Sequence, residues 1–300
     1  MFLDKKYIKK NKKAFTIIEI SIVLLIISAI IVGVTTGKTM IGKSRLANAK
    51  SLTQKSVIND MGDDLIAWYE TSLESSFEAS EIKTDGSYIT VWKDSNKSTT
   101  KKNNAIAPAN TGNQPILVQN VFYNSIPGLR FSGSQYLSFD GAKFTRNSYT
   151  VFVVEQRRSS QVNNYFIGGD TNYGSSKPNT KMHLGYRYNA TLTQAHYYND
   201  LDISIAPYSS PTPTIHTFFF NNSVGKKYTL NGKNSYTATP SQLKPMESFN
   251  YARIGYSGSS PSVYYIGDLA EIIMFKRSLK TEEVKAIESY LGSKYGIPIS

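Results

Sequence analysis

Few side chains in this sequence have the type and spacing that catalysis requires. Glu155 follows an apolar run and Glu271 lies within another, but neither has a second acid at strand spacing. Hydrolysis of a glycosidic bond needs two carboxyl groups flanking that bond, about 5 to 9.5 Å apart. Because no such acid and base pair is recognisable, the sequence predicts a protein that is not an enzyme.

Metal binding is the second kind of chemistry to consider. The three histidines, His183, His196 and His216, are too far apart in sequence to predict a metal triad. Four aspartates stand beside Gly, Ser or Asn in predicted loops, where they could supply oxygen ligands to calcium or simply form turns. These aspartates are Asp94, Asp140, Asp170 and Asp268. No firm metal site or cofactor is predicted, and calcium is the open alternative.

Tyrosine is the residue type that most favours a binding function, with 21 copies in 300 residues. Six tyrosines near predicted strands could present rings and hydroxyl groups to a sugar, since tyrosine is enriched at recognition surfaces. The alternative is that their rings cover the outer faces of strands, which the high β-propensity of tyrosine favours. The six candidates are Tyr186, Tyr188, Tyr197, Tyr198, Tyr264 and Tyr265.

The composition and charge exclude some classes of protein. Cysteine is absent, which rules out disulfide frameworks and thiolate metal sites. Much of the net charge of +12 lies in residues 1–14, which hold six lysines against one aspartate. DNA binding is an alternative for the other basic residues, but they are more typical of a solvated surface, and nucleic acid is not a predicted partner. They are Lys43, Arg45, Lys50, Lys55, Lys97, Lys101, Lys102, Arg157 and Arg158.

An apolar segment near the N-terminus, residues 14–34, has Glu19 as its only charge. At 1.5 Å per residue a helix of this length spans about 31 Å, close to the thickness of the hydrocarbon core of a bilayer. The lysines before it place the leader in the cytoplasm and the rest of the chain outside. A secretory signal is the alternative, but its apolar run is normally shorter and ends at a small-residue cleavage site. A carboxylate within a membrane needs a partner, which makes Glu19 a candidate functional residue.

This N-terminal pattern resembles that of type IV pilins and pseudopilins. The matching residues are Lys12-Lys13-Ala14, then Phe15-Thr16-Ile17-Ile18-Glu19 and an unbroken apolar helix. The resemblance implies that a prepilin peptidase cleaves between Ala14 and Phe15 and that the new amine of Phe15 is methylated. It also implies that Glu19 pairs with the N-terminal amine of a neighbouring subunit during assembly. The proline of many pilin helices is replaced here by Thr36.

After the apolar segment 14–34 the spacing of apolar residues changes twice along the chain. From Lys38 to Trp68 apolar residues recur mostly every three to four positions, which predicts an amphipathic stalk that continues the helix. Later, short apolar runs alternate with Gly, Asn, Ser and Pro, as in a β-sandwich or barrel, and Asn231-Gly232 predicts a hairpin turn. A last helix is predicted to begin at a Thr281 cap and to bury a stripe of Val284, Ile287 and Leu291. The predicted strands include Tyr149 to Glu155, Lys181 to Tyr188, Ile215 to Phe220, Lys227 to Leu230, Ala252 to Tyr256 and Asp268 to Phe275.

The body resembles the concanavalin A-like and laminin G-like sandwich modules of bacterial surface proteins. The resemblance implies a jelly roll of two sheets whose concave face or rim loops often bind carbohydrate or protein, sometimes with calcium. Fold alone does not fix function, and no contact residue is carried over. The matching stretches are 65–69, 91–94, 128–137, 230–233, 267–273 and 283–296.

These features together predict a long N-terminal α-helix, comprising a transmembrane part and an amphipathic stalk, followed by a mainly-β jelly-roll sandwich with a short C-terminal helix. The predicted domains are a cytoplasmic leader at 1–14, a helix at 15–64 with its transmembrane part at about 15–36, and a sandwich at 65–300.

The predicted function is a minor pilin or pseudopilin subunit of a type IV pilus or type II secretion-like filament that displays an adhesin or lectin-like module. Its predicted partners are other such subunits, the prepilin peptidase, the membrane, and a carbohydrate or surface-protein ligand. The chain would first lie in the inner membrane with its C-terminal domain outside the cytoplasm, and then in an extracellular filament or periplasmic pseudopilus. The alternatives are a membrane-tethered carbohydrate-active enzyme and a DNA-binding pilin.

Overall fold

A computed structural model describes residues 16–170, 177–237, 244–258 and 263–300. Along the chain a long α-helix comes first, a sandwich of two β-sheets follows, and a short helix lies near the C-terminus. The fold class predicted from the sequence is therefore confirmed. The chain divides into two compact units, Met1–Ser44 and Arg45–Ser300.

Helix α1 covers Ile17–Gln54 and is long and apolar enough to cross a membrane. Between Ile17 and Val34 its large apolar side chains are exposed. The helix begins with a capping box, in which Glu19 Oε2 accepts a hydrogen bond from the Thr16 N–H at 2.8 Å. In return the Glu19 N–H donates to Thr16 Oγ1 at 3.2 Å. Glu19 thus has a structural role within its own chain.

The α-helix ends at Gln54, before the predicted boundary at residue 64. A 3₁₀ segment, Val57–Asp64, follows it, and Leu65 already begins the first strand. The predicted stalk is therefore too long, and Trp68 lies in a strand. The error arises because residues 65–70 are all buried, and the apolar positions of a fully buried strand also fit a helical period.

The strands within the described residues are antiparallel in every pairing and form two sheets. They are β1 Leu65–Glu70, β2 Val91–Trp92, β3 Ala105–Ile106, β4 Ile116–Phe122, β5 Ile126–Ser132, β6 Leu137–Asp140, β7 Tyr149–Arg157, β8 Asn164–Asp170, β9 Lys181–Tyr188, β10 Thr191–Ala195, β11 Leu201–Ser204, β12 Pro213–Asn221, β13 Gly225–Leu230, β14 Lys233–Thr237, β15 Tyr251–Ile254 and β16 Ile266–Phe275. The predicted runs all fall on strands; β9 has the predicted bounds and the other strands have shifted ends.

The first sheet has the order β14-β13-β12-β7-β16-β5-β4, with β1 also paired to β16. The second has the order β11-β10-β9-β8-β15-β6-β3-β2. Asn231 and Gly232 connect β13 to β14 with φ values of 48° and 75°, as a type I′ hairpin turn requires, so this predicted turn is confirmed.

Large apolar and aromatic side chains fill the space between the two sheets. Phe166 and Leu184 of the second sheet belong to the same buried cluster as Phe218 and Met274 of the first. A second buried cluster lies on the other face of the first sheet, where Ile273 is joined by residues of the C-terminal helix. The sandwich is thus covered by helix on one face, and the second sheet is left with an outer face.

The C-terminal helix α2 covers Thr281–Tyr295, and its predicted apolar stripe of Val284, Ile287 and Leu291 is buried. Its N-cap is Lys280 rather than the predicted Thr281. The Lys280 N–H donates to Glu283 Oε2 at 2.7 Å. After the helix Gly296 takes φ 65°, the left-handed conformation in which glycine ends helices at little cost.

An ion cluster fastens α2 to the first sheet. Lys294 Nζ lies 3.0 Å from Glu70 Oε2 and 2.8 Å from Glu271 Oε2, and all three side chains have 0% exposure. Glu271 also accepts hydrogen bonds from Trp68 Nε1 at 2.6 Å and from the Tyr295 hydroxyl at 2.9 Å. Burial would raise the pKa of Glu70, but the Lys294 charge and hydrogen bonds from neighbouring residues lower it below its usual value.

Candidate functional site

Three of the six predicted tyrosines line one pocket on the outer face of the second sheet. We call this the tyrosine pocket, and its volume is about 410 Å³. Tyr188 and Tyr198 are 57% and 67% exposed there, so their rings are accessible to a ligand. The lining residues are Asn163, Tyr165, His183, Arg187, Tyr188, Tyr197, Tyr198 and Asp200.

The alternation of β9 determines which of its side chains reach the pocket. Met182, Leu184 and Tyr186 belong to the core between the sheets. His183 and Arg187, at the intervening positions, therefore face outwards. Between them Gly185 has φ 144°, and a side chain there would meet the backbone of Tyr165 on β8 at 2.7 Å. Glycine is required at this position because the two strands approach closely.

The loop after β10 carries two aromatic residues in a strained backbone conformation. Tyr197 and Tyr198 have φ values of 42° and 68°, a region that bulky residues rarely adopt. Their ring centroids are 4.3 Å apart. Backbone strain of this kind costs about 1 to 3 kcal/mol per residue and occurs preferentially at ligand sites. This backbone conformation places two adjacent rings in the lining of the pocket.

Several buried polar groups hold this loop in place. The Asn179 N–H donates to the Tyr197 carbonyl at 3.1 Å. His196 has ring nitrogens 2.7 Å from the Lys244 carbonyl oxygen and 2.8 Å from the Tyr149 hydroxyl. On the other side of the pocket-lining tyrosines, the Lys226 ammonium donates to the Asn199 carbonyl. The tyrosines are therefore fixed from both ends of the loop.

His183 contributes a neutral imidazole to the pocket. It is 7% exposed and packs against Tyr165, with ring centroids 5.0 Å apart. Burial, together with the charges of Arg187 and Lys181, lowers its pKa to about 3. Its Nδ1 has no hydrogen-bond partner among the described residues. This nitrogen is also shielded from solvent, so His183 lines the pocket as a neutral ring without an exposed Nδ1 for a ligand.

Arg187 forms a charged edge of the pocket. Its Nη2 lies 2.5 Å from Asp200 Oδ2, and its Nη1 lies 3.0 Å from Asp202 Oδ2. Burial would lower the pKa of Arg187, but the hydrogen bond and charge of Asp200 raise it, so the guanidinium stays charged. Arg187 and Asp200 thus present fixed hydrogen-bonding groups beside the tyrosine rings, and Asp202, which is not in the lining, helps to hold the guanidinium.

Lys226, which donates to the Asn199 carbonyl beside the pocket, should make the stability of the domain depend on pH. Burial lowers the pKa of Lys226 to about 7, against 10.5 in the unfolded chain, so the unfolded state binds more protons between these values. Lys226 should therefore make stability rise with pH in this window, by up to about 1.4 kcal/mol per pH unit. Urea unfolding from pH 6 to 10 measures this effect. The free energy of unfolding of Lys226→Met should exceed that of the wild type most at pH 6, and the difference should shrink progressively above pH 7.

The neighbouring Lys227 is exposed and provides the matched control. Lys227→Met should follow the wild-type curve over the same pH range. Parallel curves for the wild type and Lys226→Met would contradict the prediction.

Two other predicted tyrosines, Tyr186 and Tyr265, lie in the core rather than at the surface. The Tyr186 hydroxyl donates to Glu155 Oε1 at 2.5 Å, and the Tyr265 hydroxyl donates to the other oxygen of the same carboxylate. Glu155 Oε1 also lies 3.0 Å from His216 Nε2. Burial and the Glu155 charge raise the pKa of both tyrosines well above 10. These residues form the Glu155 cluster, and their assignment as surface ligands is corrected.

A smaller pocket of about 250 Å³ lies beside the Glu155 cluster, with Tyr186 and His216 in its lining. Arg157 stands over the Tyr186 ring at 4.2 Å from its centroid. The Arg157 guanidinium donates to the carbonyls of Ser159 and Asn189 at 2.5 and 2.9 Å. Its hydrogen bonds are largely used within the chain, so this pocket is the weaker candidate for ligand binding.

The sixth tyrosine, Tyr264, lies in a separate group on the outside of the sandwich. Its ring stacks on Tyr256 with centroids 4.5 Å apart. The Tyr136 ring packs against Tyr256 with centroids 5.6 Å apart, and the Arg253 guanidinium lies over the rings of Tyr136 and Tyr256. We call these four residues the Tyr264 cluster.

The aspartates considered for calcium bind groups of the protein. Among the described residues no group of three or more His, Asp or Glu side chains converges to hold a metal ion. Asp94 accepts from the Trp68 and Asn96 N–H groups, and Asp140 accepts from the Ala142 N–H. Asp268 is buried and 2.7 Å from Arg130 Nε. The side chain of Asp170 lies outside the described residues.

The N-terminal predictions fall partly outside the described residues. Ala14 and Phe15 are not among them, so cleavage and methylation there stay predictions. Glu19 is described, and its carboxylate closes the capping box with Thr16. Its pairing with a second chain stays a prediction as well.

The arrangement of two antiparallel sheets defines the class of protein as a β-sandwich, and comparison with solved structures finds the same fold elsewhere. The chain is similar to Trypanosoma rangeli sialidase, with 12% identity and a TM-score of 0.53, over 79% of this chain and 34% of that chain. It is also similar to a GH54 α-L-arabinofuranosidase, with 12% identity and a TM-score of 0.54, over 79% of this chain and 64% of that one.

A third match is Trypanosoma rangeli sialidase in complex with 2,3-difluorosialic acid, with 11% identity and a TM-score of 0.52, over 77% of this chain. The chain spans about a third of the length of these sialidases, 33% in this case. Neither a family model nor a curated protein matches the chain. At these identities the comparisons show a shared fold.

These findings correct the functional prediction. The sandwich shares its fold with chains named as sialidases and an arabinofuranosidase, and none of these matched chains is named as a pilus or pseudopilus subunit. The prediction of a filament subunit without enzyme activity is therefore wrong. The resemblance of the N-terminal motif to that of pilins and pseudopilins stays a prediction, since residues 1–15 lie outside the described part of the chain.

Proposed function

We propose that this chain is a membrane-tethered carbohydrate-active protein that binds a glycan in the tyrosine pocket. The proposal is carried by Tyr197 and Tyr198, whose backbones are strained and whose rings line a pocket together with His183, Arg187 and Asp200. The fold shared with glycan-cleaving enzymes supports the same class of ligand.

The chemistry of the pocket suits a sugar for two reasons. Apolar C–H faces of a sugar ring pack on aromatic rings such as those of Tyr188 and Tyr198, which bury large apolar area at low entropic cost. Sugar hydroxyls both donate and accept hydrogen bonds, and His183, Arg187 and Asp200 offer both kinds of partner. A few polar groups placed around aromatic walls are typical of small-molecule sites.

The membrane tether follows from the N-terminal segment. Ile17–Gln54 is the helix that meets the length and composition of a membrane span, and six lysines precede it. The excess of lysine before a span keeps that side in the cytoplasm, which places the sandwich outside. The same segment would direct the chain to the membrane as a signal sequence, and in both cases the sandwich meets extracytoplasmic glycans.

A glycan-binding assay tests the proposal. The fragment Arg45–Ser300 forms one compact unit, and the detergent-solubilised full chain serves as its reference. Arrays should include arabinan-derived and sialylated oligosaccharides. Replacement of Tyr198 by alanine removes an exposed ring and should weaken binding at least tenfold, about 1.4 kcal/mol.

Two further variants make the assay specific. Tyr198→Gly should also lose binding but should stabilise the fold by about 1 kcal/mol, because glycine takes positive φ without strain. Tyr88, which is 53% exposed and outside the pocket, gives the control Tyr88→Ala. Binding that survives in Tyr198→Ala, or that is lost equally in Tyr88→Ala, would refute the pocket as the site.

Glycan cleavage is the second candidate function, favoured by the two carboxylates that share Arg187. Asp200 and Asp202 both bond the guanidinium of Arg187 and so lie close together, and Asp200 also lines the pocket. Glycosidases of the two-carboxylate type hold their acids about 5 to 9.5 Å apart. To test for cleavage, the release of reducing ends would be measured on any polysaccharide that the chain binds. Release by the wild type that is lost in both Asp200→Asn and Asp202→Asn would support glycan cleavage. Binding without release of sugar would leave a binding module.

A further inference from the structure

The Tyr264 cluster is a second group of aromatic rings, outside the tyrosine pocket. Tyr136, Tyr256 and Tyr264 are each partly exposed. Tyr256 and Tyr264 form a β-bridge, and their rings stack at an angle of 29°. The following residue, Tyr265, points into the core, which turns Tyr264 outwards.

Arg253 gives this cluster a polar centre. Its guanidinium carbon lies 5.4 Å from the Tyr136 centroid and 5.0 Å from the Tyr256 centroid. Cation–π contacts at such distances hold a guanidinium flat against rings while its N–H edge stays available for hydrogen bonds. Flat rings beside a planar donor form the same combination of groups as the tyrosine pocket.

Strand register places the two groups on one face of the second sheet. Arg253 on β15 is paired with Gly168 on β8, and Gly168 is paired with His183 on β9. These three residues therefore form one row across the sheet. Neighbouring strands are about 4.8 Å apart, so the backbones of Arg253 and His183 are about 10 Å apart.

The main chain itself brings the cluster towards the pocket. A side chain on Gly168 would meet Ser257 Cα at 2.5 Å and the Tyr256 carbonyl at 3.0 Å. The segment that carries Tyr256 therefore crosses directly over β8, the strand between Arg253 and His183. The glycine at position 168 is what allows this close approach.

We propose that the ligand of the tyrosine pocket is an extended oligosaccharide or polysaccharide whose chain continues over β8 onto the Tyr264 cluster. This inference rests on the proposed function, and it specifies the ligand further as a chain rather than a single sugar. Units in the pocket bind His183 and Tyr198, and units further along stack on Tyr264 and bond Arg253. Linked contacts of this kind add affinity because the second is intramolecular once the first has formed.

Chain length is the variable that tests this inference. Calorimetric titration would use arabinan-, cellulose- and chitin-derived oligosaccharides of one to six units against the fragment Arg45–Ser300 and the full chain. For the series that binds, wild-type affinity should rise with length and then level off. Tyr264→Ala should lower affinity for the longest oligomers about tenfold and leave the shortest binder unchanged.

Matched variants separate the two places. Tyr198→Ala should weaken oligomers of every length, Tyr264→Phe should retain the stacking, and Tyr88→Ala should change nothing. Affinity independent of length, or a Tyr264→Ala effect that is absent or equal at all lengths, overturns the extended-chain inference while the proposed function stands. If the wild type binds none of these sugars or the arrayed glycans, the proposed function fails and the inference fails with it.

Discussion

Replacing Lys294 by methionine is expected to lower the free energy of unfolding by about 3 to 5 kcal/mol. Lys294 is the cation 3.0 and 2.8 Å from two carboxylates, Glu70 and Glu271, that have 0% exposure. Its removal leaves two buried acids without a counterion. Urea denaturation of the fragment Arg45–Ser300 at pH 7 measures the loss, with the exposed Lys285→Met on the same helix as control.

Two observations sharpen this expectation. Combining Lys294→Met with Glu70→Gln and Glu271→Gln should recover part of the loss, because neutral side chains tolerate burial better. Acid should also affect the wild type and Lys294→Met in opposite directions. Because the pKa of Glu70 is lowered in the folded wild type, its stability should fall as pH falls. In Lys294→Met, protonation removes the unpaired buried charges and should raise stability. A loss below about 1 kcal/mol in Lys294→Met would show that the cluster is not a buried ion network.

Replacing Glu155 by leucine should destabilise the sandwich by about 3 kcal/mol or more, since each buried hydrogen bond left unmade costs about 1 to 3 kcal/mol. Glu155 accepts from the hydroxyls of Tyr186 and Tyr265 and lies 3.0 Å from His216 Nε2. Leucine fills similar volume but offers no acceptor. Thermal and urea unfolding, with near-ultraviolet circular dichroism of the tyrosines, would measure the effect.

Glu155→Gln is the matched control for this prediction. Its amide oxygen retains one acceptor, so its loss of stability should be clearly smaller than that of the leucine variant. Equal stability of Glu155→Leu and the wild type would mean that the three donors find other partners.

Local patterns in the sequence were sufficient for much of the fold. The two-residue alternation of Lys181–Tyr188 predicted β9, and the spacing of Val284, Ile287 and Leu291 predicted α2. Helix caps depend on backbone angles, and Lys280 rather than Thr281 occupies the cap. Burial of a strand on both faces removes its alternation, which is why Trp68 was assigned to a helix.

The candidate site was only partly predictable. Tyr188, Tyr197 and Tyr198 were singled out by residue type, and the structure brings them together. His183 and Arg187 were not recognised as their neighbours, although alternation from an inward Tyr186 would have placed both on the same face. Asp200 and Asn163 were not predicted, because the place of Asp200 depends on the backbone angles of the loop that carries Tyr197 and Tyr198, and that of Asn163 on the register between β8 and β9.

Tyr186 and Tyr265 show the limit of composition as a guide. Each ring has a polar end, so type alone does not distinguish a surface contact from a core residue. The deciding partner was Glu155, which the sequence placed at the end of an apolar strand without indicating what it would bond.

The ion cluster at the end of β1 also affects how the protein bears mechanical load. A pull on the N-terminal helix reaches the sandwich through the contacts of Ala49 and Thr53 and then along β1, which is bonded to β16 and ends at Glu70. To slide β1 out under tension, force must draw Glu70 away from Lys294 as well as shear the backbone ladder. The buried ion pair thus adds to the resistance of β1 against tension along the chain.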